Sequence, residues 1–192
     1  MNYPFKFDFN RSLQAAAFLL RRERNRNMNY MRLTKLLYIA DRESLRDTGR
    51  PITGAKPVAI VRGLVLQEVL ELVRGQHYDT PRWSNFIRRE KYQLELIDDP
   101  GIGRLSKYMT AILEEIAARH EEHDEWDMVA ITHELPEWRY NDPGKSSRRI
   151  PFNEILAAIG RSADADLIVA NATLDAAATK FFCDELRTTV EV

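Results

Sequence analysis

A mainly α fold, a compact multi-helix bundle carrying a small β-hairpin insertion, is what the residue pattern predicts. Three observations lead there. Apolar residues recur three and four positions apart along most of the chain, the period of a helix with one buried face. Single alternation occurs in one short stretch, where Tyr92, Leu94 and Leu96 interleave with Gln93, Glu95 and Ile97. Hydrophobic residues make up 44% and charged residues 30%, an ordinary globular balance, and 192 residues are enough to build a core without disulfide or metal.

Each element follows from its residues. A first helix is expected over residues 11–24, with Leu13, Ala16, Ala17 and Leu20 on one face and Asn10 or Ser12 as cap, before the polar run at 21–27 ends it. A second covers 30–46, with Leu33, Leu36, Leu37, Ala40 and Leu45 as its stripe and Gly49-Arg50-Pro51 as its stop. Residues 52–55 read as a loop. A third helical stretch is expected over 57–73 on Val58, Val61, Val65 and Val69, with Gly63 marking a break or close packing inside it. The alternating stretch 92–97 then pairs with 83–87 through 88–91 as a hairpin. Helices resume over 106–120, with Ser106 as cap, and over 126–133, capped by Asp124 or Glu125 and ended by Pro136. A polar loop spans 141–147, Pro151 leads into a helix over 152–159, and 165–187 reads as one long alanine-rich helix. The main unit is expected over 1–160, with 161–192 a helical extension packed on it.

Charge and composition bound the function. The net charge is −1, so no global field favours nucleic acid. A single cysteine, Cys183, allows no internal disulfide and fits a reducing compartment. The first residues carry no basic segment followed by an apolar run, and no apolar stretch approaches the ~20 residues of a membrane span, so a cytoplasmic location is expected.

Several pieces in order form the strongest pattern. They are Leu33-Thr34-Lys35-Leu36-Leu37-Tyr38-Ile39-Ala40-Asp41, then Gly49-Arg50-Pro51-Ile52-Thr53-Gly54, then the run from Pro57 to Val65, then Leu105-Ser106 opening a helix, then Ile131-Thr132-His133-Glu134-Leu135-Pro136-Glu137-Trp138. Together they resemble the SocA-like, or Panacea, antitoxin domain over roughly residues 10–160. That family shows a Lys-Leu-Leu-Tyr helix, a Gly-x-Pro-Ile loop, a Gly-Pro-Val step, a Leu-Ser helix start and a Thr/Ser-His followed by Pro and Trp. This chain departs from it in two places: Gly63-Leu64-Val65 lacks the proline, and Glu137 separates Pro136 from Trp138. The resemblance implies an antitoxin that binds and neutralises a cognate protein toxin, with delivery to a ClpXP-type protease as a further role. It implies no catalytic residue, cofactor, metal or membrane. With about ten residues before the first helix, no appended DNA-binding segment is expected. On the motif positions, Lys35, Tyr38, Asp41, Arg62, His133 and Trp138 are the expected partner-binding residues.

The residues themselves leave alternatives open. Lys35 and Tyr38 share a helix face and read either as a surface lysine beside a half-buried tyrosine or as a contact pair. His133 is either a general base beside Glu134 or a helix-end histidine that caps carbonyls and packs on Trp138. His120 and His123, three apart, with His133 as third ligand, would make a metal-dependent hydrolase; an acidic, solvated helix end explains the same run. Cys183 beside Phe181-Phe182 reads as a buried structural thiol. Arg82, Arg88, Arg89, Lys91, Arg148 and Arg149, interleaved with Trp83, Phe86, Tyr92 and Trp138, suit single-stranded nucleic acid or a protein interface, and the near-zero net charge favours protein, which makes an operon-repressing nucleic-acid binder the weaker expectation. The long last helix carries Leu167, Leu174, Ala178, Phe181 and Phe182, apolar groups that fit a partner or self-association face.

Overall fold

The structure is a computed structural model that describes residues 1–190, with side chains placed for all of these but 180 and 182–190. The expected Cys183 burial therefore lies outside the described residues.

Helix α1, Phe9–Arg22, buries Leu13, Ala16, Ala17 and Leu20 as the period requires. Its cap is Asp8, two positions before Asn10: the carboxylate accepts from the Arg11 amide at 2.9 Å. Helix α2, Tyr30–Thr48, is capped by the Asn29 side chain and stops at Gly49, whose φ of +73° supplies the left-handed turn that closes helices. Helix α2 is buried on nearly every side as far as Leu45, which makes it the central helix of the molecule.

The chain departs from the expected pattern after residue 56. Instead of one helix over 57–73, it forms strand β2, Pro57–Ile60, and strand β3, Gly63–Leu66, and only then helix α3, Gln67–Arg74. Pro57-Val58-Ala59-Ile60 and Gly63-Leu64-Val65-Leu66 are short apolar runs whose period cannot separate strand from helix when both faces are covered. Gly63 decides it: at φ +94° it closes a two-residue turn over Val61–Arg62 and pairs β2 with β3. The second hairpin is present but shifted. Trp83 belongs to a short helix α4, Thr80–Ser84, and strands β4, Ile87–Glu90, and β5, Gln93–Leu96, meet at Lys91–Tyr92.

Two three-stranded antiparallel sheets result among the described residues, not one hairpin. Strand β1, Asn27–Asn29, adds to β5 in the order β1-β5-β4. Strand β6, Ser147–Arg149, at the end of the expected polar loop, adds to β2 in the order β3-β2-β6.

Helix α5, Lys107–Arg119, starts at the expected Ser106 cap. Helix α6, Glu125–Glu134, has a capping box in which Asp124 and Asp127 each satisfy the other's backbone amide. Pro136 opens a further short helix, α7, Pro136–Tyr140, rather than merely ending α6. Helices α8, Phe152–Ala158, and α9, Ala165–Val190, complete the chain. One core joins α1, α2, α5, α6 and α8 with the strands, and Ile168 of α9 packs into it. The fold is mainly α with small antiparallel sheets. No described helix is long and apolar enough to cross a membrane.

Candidate functional site

The motif positions meet around the β2–β3 turn. His133, near the end of α6, donates its Nε2 proton to the Val61 carbonyl, 3.2 Å away, and its ring stacks on Trp138 at 3.9 Å between centroids. Trp138, in α7, donates its indole N–H to the Ile60 carbonyl at 3.1 Å. A Cβ on Gly63 would lie 2.1 Å from the Thr132 hydroxyl oxygen and 3.4 Å from Cε of Lys35. A side chain at this position is thus excluded both by contact and by φ. Thr132, His133 and Trp138 therefore grip one tight turn from α6 and α7, and the stem of Lys35 supports it from α2. His133 here packs on Trp138 and bonds the Val61 carbonyl. Burial and the Lys35 charge hold its imidazole below the usual histidine range, opposed by the Val61 bond.

Tyr38 and Asp41 lie beneath this turn, not on a surface. Tyr38 is 2% exposed and its hydroxyl donates to Glu137 Oε1 at 2.9 Å. Glu137 is wholly buried and takes Arg42 Nε at 2.6 Å, while Arg42 also donates to the Ala158 carbonyl at 3.2 Å. This residue, which separates Pro136 from Trp138, was visible in the sequence as an interruption of the motif, but its partners stand 95 and 99 positions away. Asp41 accepts from the amides of Ile52 at 3.0 Å and Thr53 at 2.9 Å and from the Thr53 hydroxyl, so it pins the Pro-Ile loop to α2. Burial pushes its carboxyl up to about 7 while these donors pull it down. Tyr38 and Asp41, expected among the partner-binding residues, are thus buried as interior anchors.

Lys35 is different again. It is 1% exposed, yet no hydrogen bond or ion pair to any described residue reaches its ammonium. The side chain lines a groove of about 490 Å³ between the start of α2 and the β2–β3 turn, with Met31, Ile60, Val65 and Leu70 as apolar walls and Arg62 and Arg74 at the mouth. Burial, and then the Arg62 charge, lower its pKa to about 8. Arg62 is exposed. Its guanidinium lies 5.4 Å from the Trp126 ring and 3.5 Å from Met31 Sδ, and it pairs with no described carboxylate. Trp126, 56% exposed in the first turn of α6, went unremarked in the sequence because a lone aromatic among acidic residues has no telling spacing.

The pKa of Lys35 gives a stability prediction. The folded value lies below the unfolded one, so the folded state carries a strained charge at every pH below about 8. Between pH 8 and 10.5 the native state binds fewer protons than the unfolded chain, so this contribution to stability rises with pH. Lys35→Met is therefore expected to stabilise the protein by about 2–3 kcal/mol at pH 7, or about 4–10 °C in Tm, with the difference from wild type vanishing near pH 10.5. Calorimetry across this range measures it.

The other expected constellations are structural. His120 and His123 do meet, Nδ1 to Nδ1 at 3.0 Å, but His120 is buried rather than solvated, and His133 stands apart on Trp138. Arg32 holds their loop by bonds to the His120 and His123 carbonyls at 3.0 and 2.8 Å. No three His, Cys, Asp or Glu side chains among the described residues are arranged to hold a metal. In the basic-aromatic set, Arg88 pairs with Glu95, Arg82 with Asp79, and Arg89 lies over the Tyr30 ring at 4.9 Å.

The turn gripped by Thr132, His133 and Trp138 explains why such distant motif pieces recur together, and a family model confirms the grouping: the antitoxin SocA-like, Panacea domain model matches residues 33–139. The chain belongs to this family. The matched segment runs from the first turns of α2 to α7, so the Panacea domain here contains both hairpins, the clamp and most of the groove lining. Helices α1 and α8 lie outside the match but share the same core. No curated protein and no solved structure matches the chain.

Proposed function

We propose that this Panacea protein is the antitoxin of a toxin–antitoxin pair and neutralises a cognate protein toxin in the cytoplasm by direct binding rather than catalysis. The family match supports the antitoxin role. The observation that carries the binding reading is the exposed face around the groove: Val61, Arg62, Trp126 and Tyr92 stand out on rigid turns and helix starts, and Lys35 lies unpaired just beneath them. Arginine and tryptophan on a rigid frame are the usual anchors of protein interfaces. Of the residues named from the sequence, Lys35 and Arg62 line this groove, while His133 and Trp138 hold its rim in place. Delivery of the bound toxin to a ClpXP-type protease is a compatible further step.

Co-expression with the product of the neighbouring reading frame tests the proposal. Wild-type protein is expected to restore growth and to co-purify with that product; Arg62→Glu together with Trp126→Ala is expected to abolish both while leaving the melting temperature within a few degrees. Unchanged toxicity with wild-type protein overturns the reading.

Self-association through α9 is a separate proposal. Leu167 and Leu174 are 61% and 67% exposed and seven residues apart, so they line one side of the helix. Light scattering of the wild type and of Leu174→Glu measures it, a dimer that the variant loses being the expected result.

A further inference from the structure

A lysine is seldom taken out of water without a partner, because the charge loses its hydration and gains nothing in return. Lys35 comes close to that position: it is 1% exposed, its stem is enclosed by α2, Gly63 and the clamp, and its ammonium, which opens only on the groove, bonds to no described group. The two other cations of the groove, Arg62 and Arg74, also form no ion pair with any described carboxylate. Several arginines elsewhere have carboxylate partners. Arg32 has Glu23, Arg42 has Glu137, Arg82 has Asp79, and Arg119 has Glu43. Three cations without a carboxylate partner among the described residues thus line one concave place. The walls of that place are apolar, formed by Met31, Ile60, Val65 and Leu70.

We propose that this groove is a recognition site for a carboxylate on an apolar segment of a partner protein, with the acid seated between the Lys35 ammonium and the Arg62 guanidinium and its neighbouring side chain against the apolar walls. The identity of that partner as a toxin rests on the antitoxin reading; the chemistry of the site does not. The volume, about 490 Å³, accommodates an acidic side chain and one adjoining apolar residue, not a whole helix. A free phosphate would use the cations and leave the walls uncovered. An apolar peptide without an acid would cover the walls and leave Lys35 uncompensated. Only an acid with an apolar neighbour satisfies both, and it would shed the penalty that Lys35 carries in the empty groove.

The test uses the full chain with lysine ¹³Cε labels, which report the protonation of Lys35 directly. Three probes are titrated in: the acetylated and amidated peptide Leu-Ala-Glu-Leu-Ala, its glutamine counterpart, and inorganic phosphate. The glutamate peptide is expected to raise the Lys35 midpoint by about one pH unit, a tenfold change in proton affinity, and the glutamine peptide to leave it unmoved. The glutamate peptide is also expected to bind Lys35→Met or Arg62→Gln at least tenfold more weakly. A Lys35 signal that neither peptide nor phosphate moves overturns the site. A response to phosphate alone overturns the carboxylate segment and assigns a small free anion instead. Co-expression separates this from the antitoxin reading. If wild type and the Lys35→Met/Arg62→Gln pair protect equally, the groove proposal fails and the antitoxin stands. If the glutamate peptide shifts Lys35 while wild type gives no protection, the groove stands and the antitoxin reading fails.

Discussion

Glu137→Ala is expected to destabilise the protein by about 3–5 kcal/mol, a drop of roughly 10 °C or more in Tm, because it strands a buried guanidinium. Arg42 is only 14% exposed at its side chain and Glu137 is its one carboxylate partner among the described residues. The Tyr38 hydroxyl, deep in the core, loses its acceptor at the same time. Tyr38→Phe alone should cost far less, about 1 kcal/mol, since Arg42 still holds the carboxylate. The two changes are not additive, because they share one acceptor, and a double-mutant cycle by denaturant titration measures their coupling. Loss of Glu137 also loosens the start of α7, so Trp138 emission should shift to the red below the melting transition.

Asp41→Ala is expected to cost a similar amount, about 3–5 kcal/mol, for a different reason. It removes no net ion pair; it orphans two buried amides, at Ile52 and Thr53, and the Thr53 hydroxyl. Asp41→Asn should cost about 1 kcal/mol or less. Its carbonyl oxygen can accept from the two amides, and its amide nitrogen can donate to the Thr53 oxygen in place of the lost acceptor. Equal losses for alanine and asparagine would show that charge, not hydrogen bonding, is what the site needs. Chemical denaturation at pH 7 separates the two.

The sequence made some of this legible and hid the rest for physical reasons. Helices α1, α2, α5, α6 and α8 announce themselves because each carries a full apolar stripe and a recognisable start or stop, such as Ser106 or Gly49. Strands β2 and β3 carry no strand signal in the sequence because a run covered on both faces has no polar side to reveal its period, and Gly63 fits either a helix interruption or a turn. Strands β1 and β6 are three residues each and exist only through the neighbours they pair with. At the site, the resemblance picked out residues that do converge, yet it could not tell supporter from contact. Tyr38 and Asp41 look like surface residues until Glu137 and the Ile52–Thr53 amides, far along the chain, claim their polar atoms. Lys35 breaks the ordinary rule that a buried charge is paired, and such local violations tend to mark functional places.

The sequence separation within the clamp has a consequence for when the molecule becomes competent. The turn at residues 61–63 is held by groups at 132, 133 and 138, and β2 acquires its outer neighbour only at 147–149. A nascent chain that has emerged only as far as α5 thus carries an open strand edge and an unbraced turn. Contacts of this span close late, after the entropy of a long loop has been overcome. The groove is therefore braced only when most of the polypeptide has left the ribosome, so unfinished or clipped copies ending before residue 132 lack the groups that hold its turn.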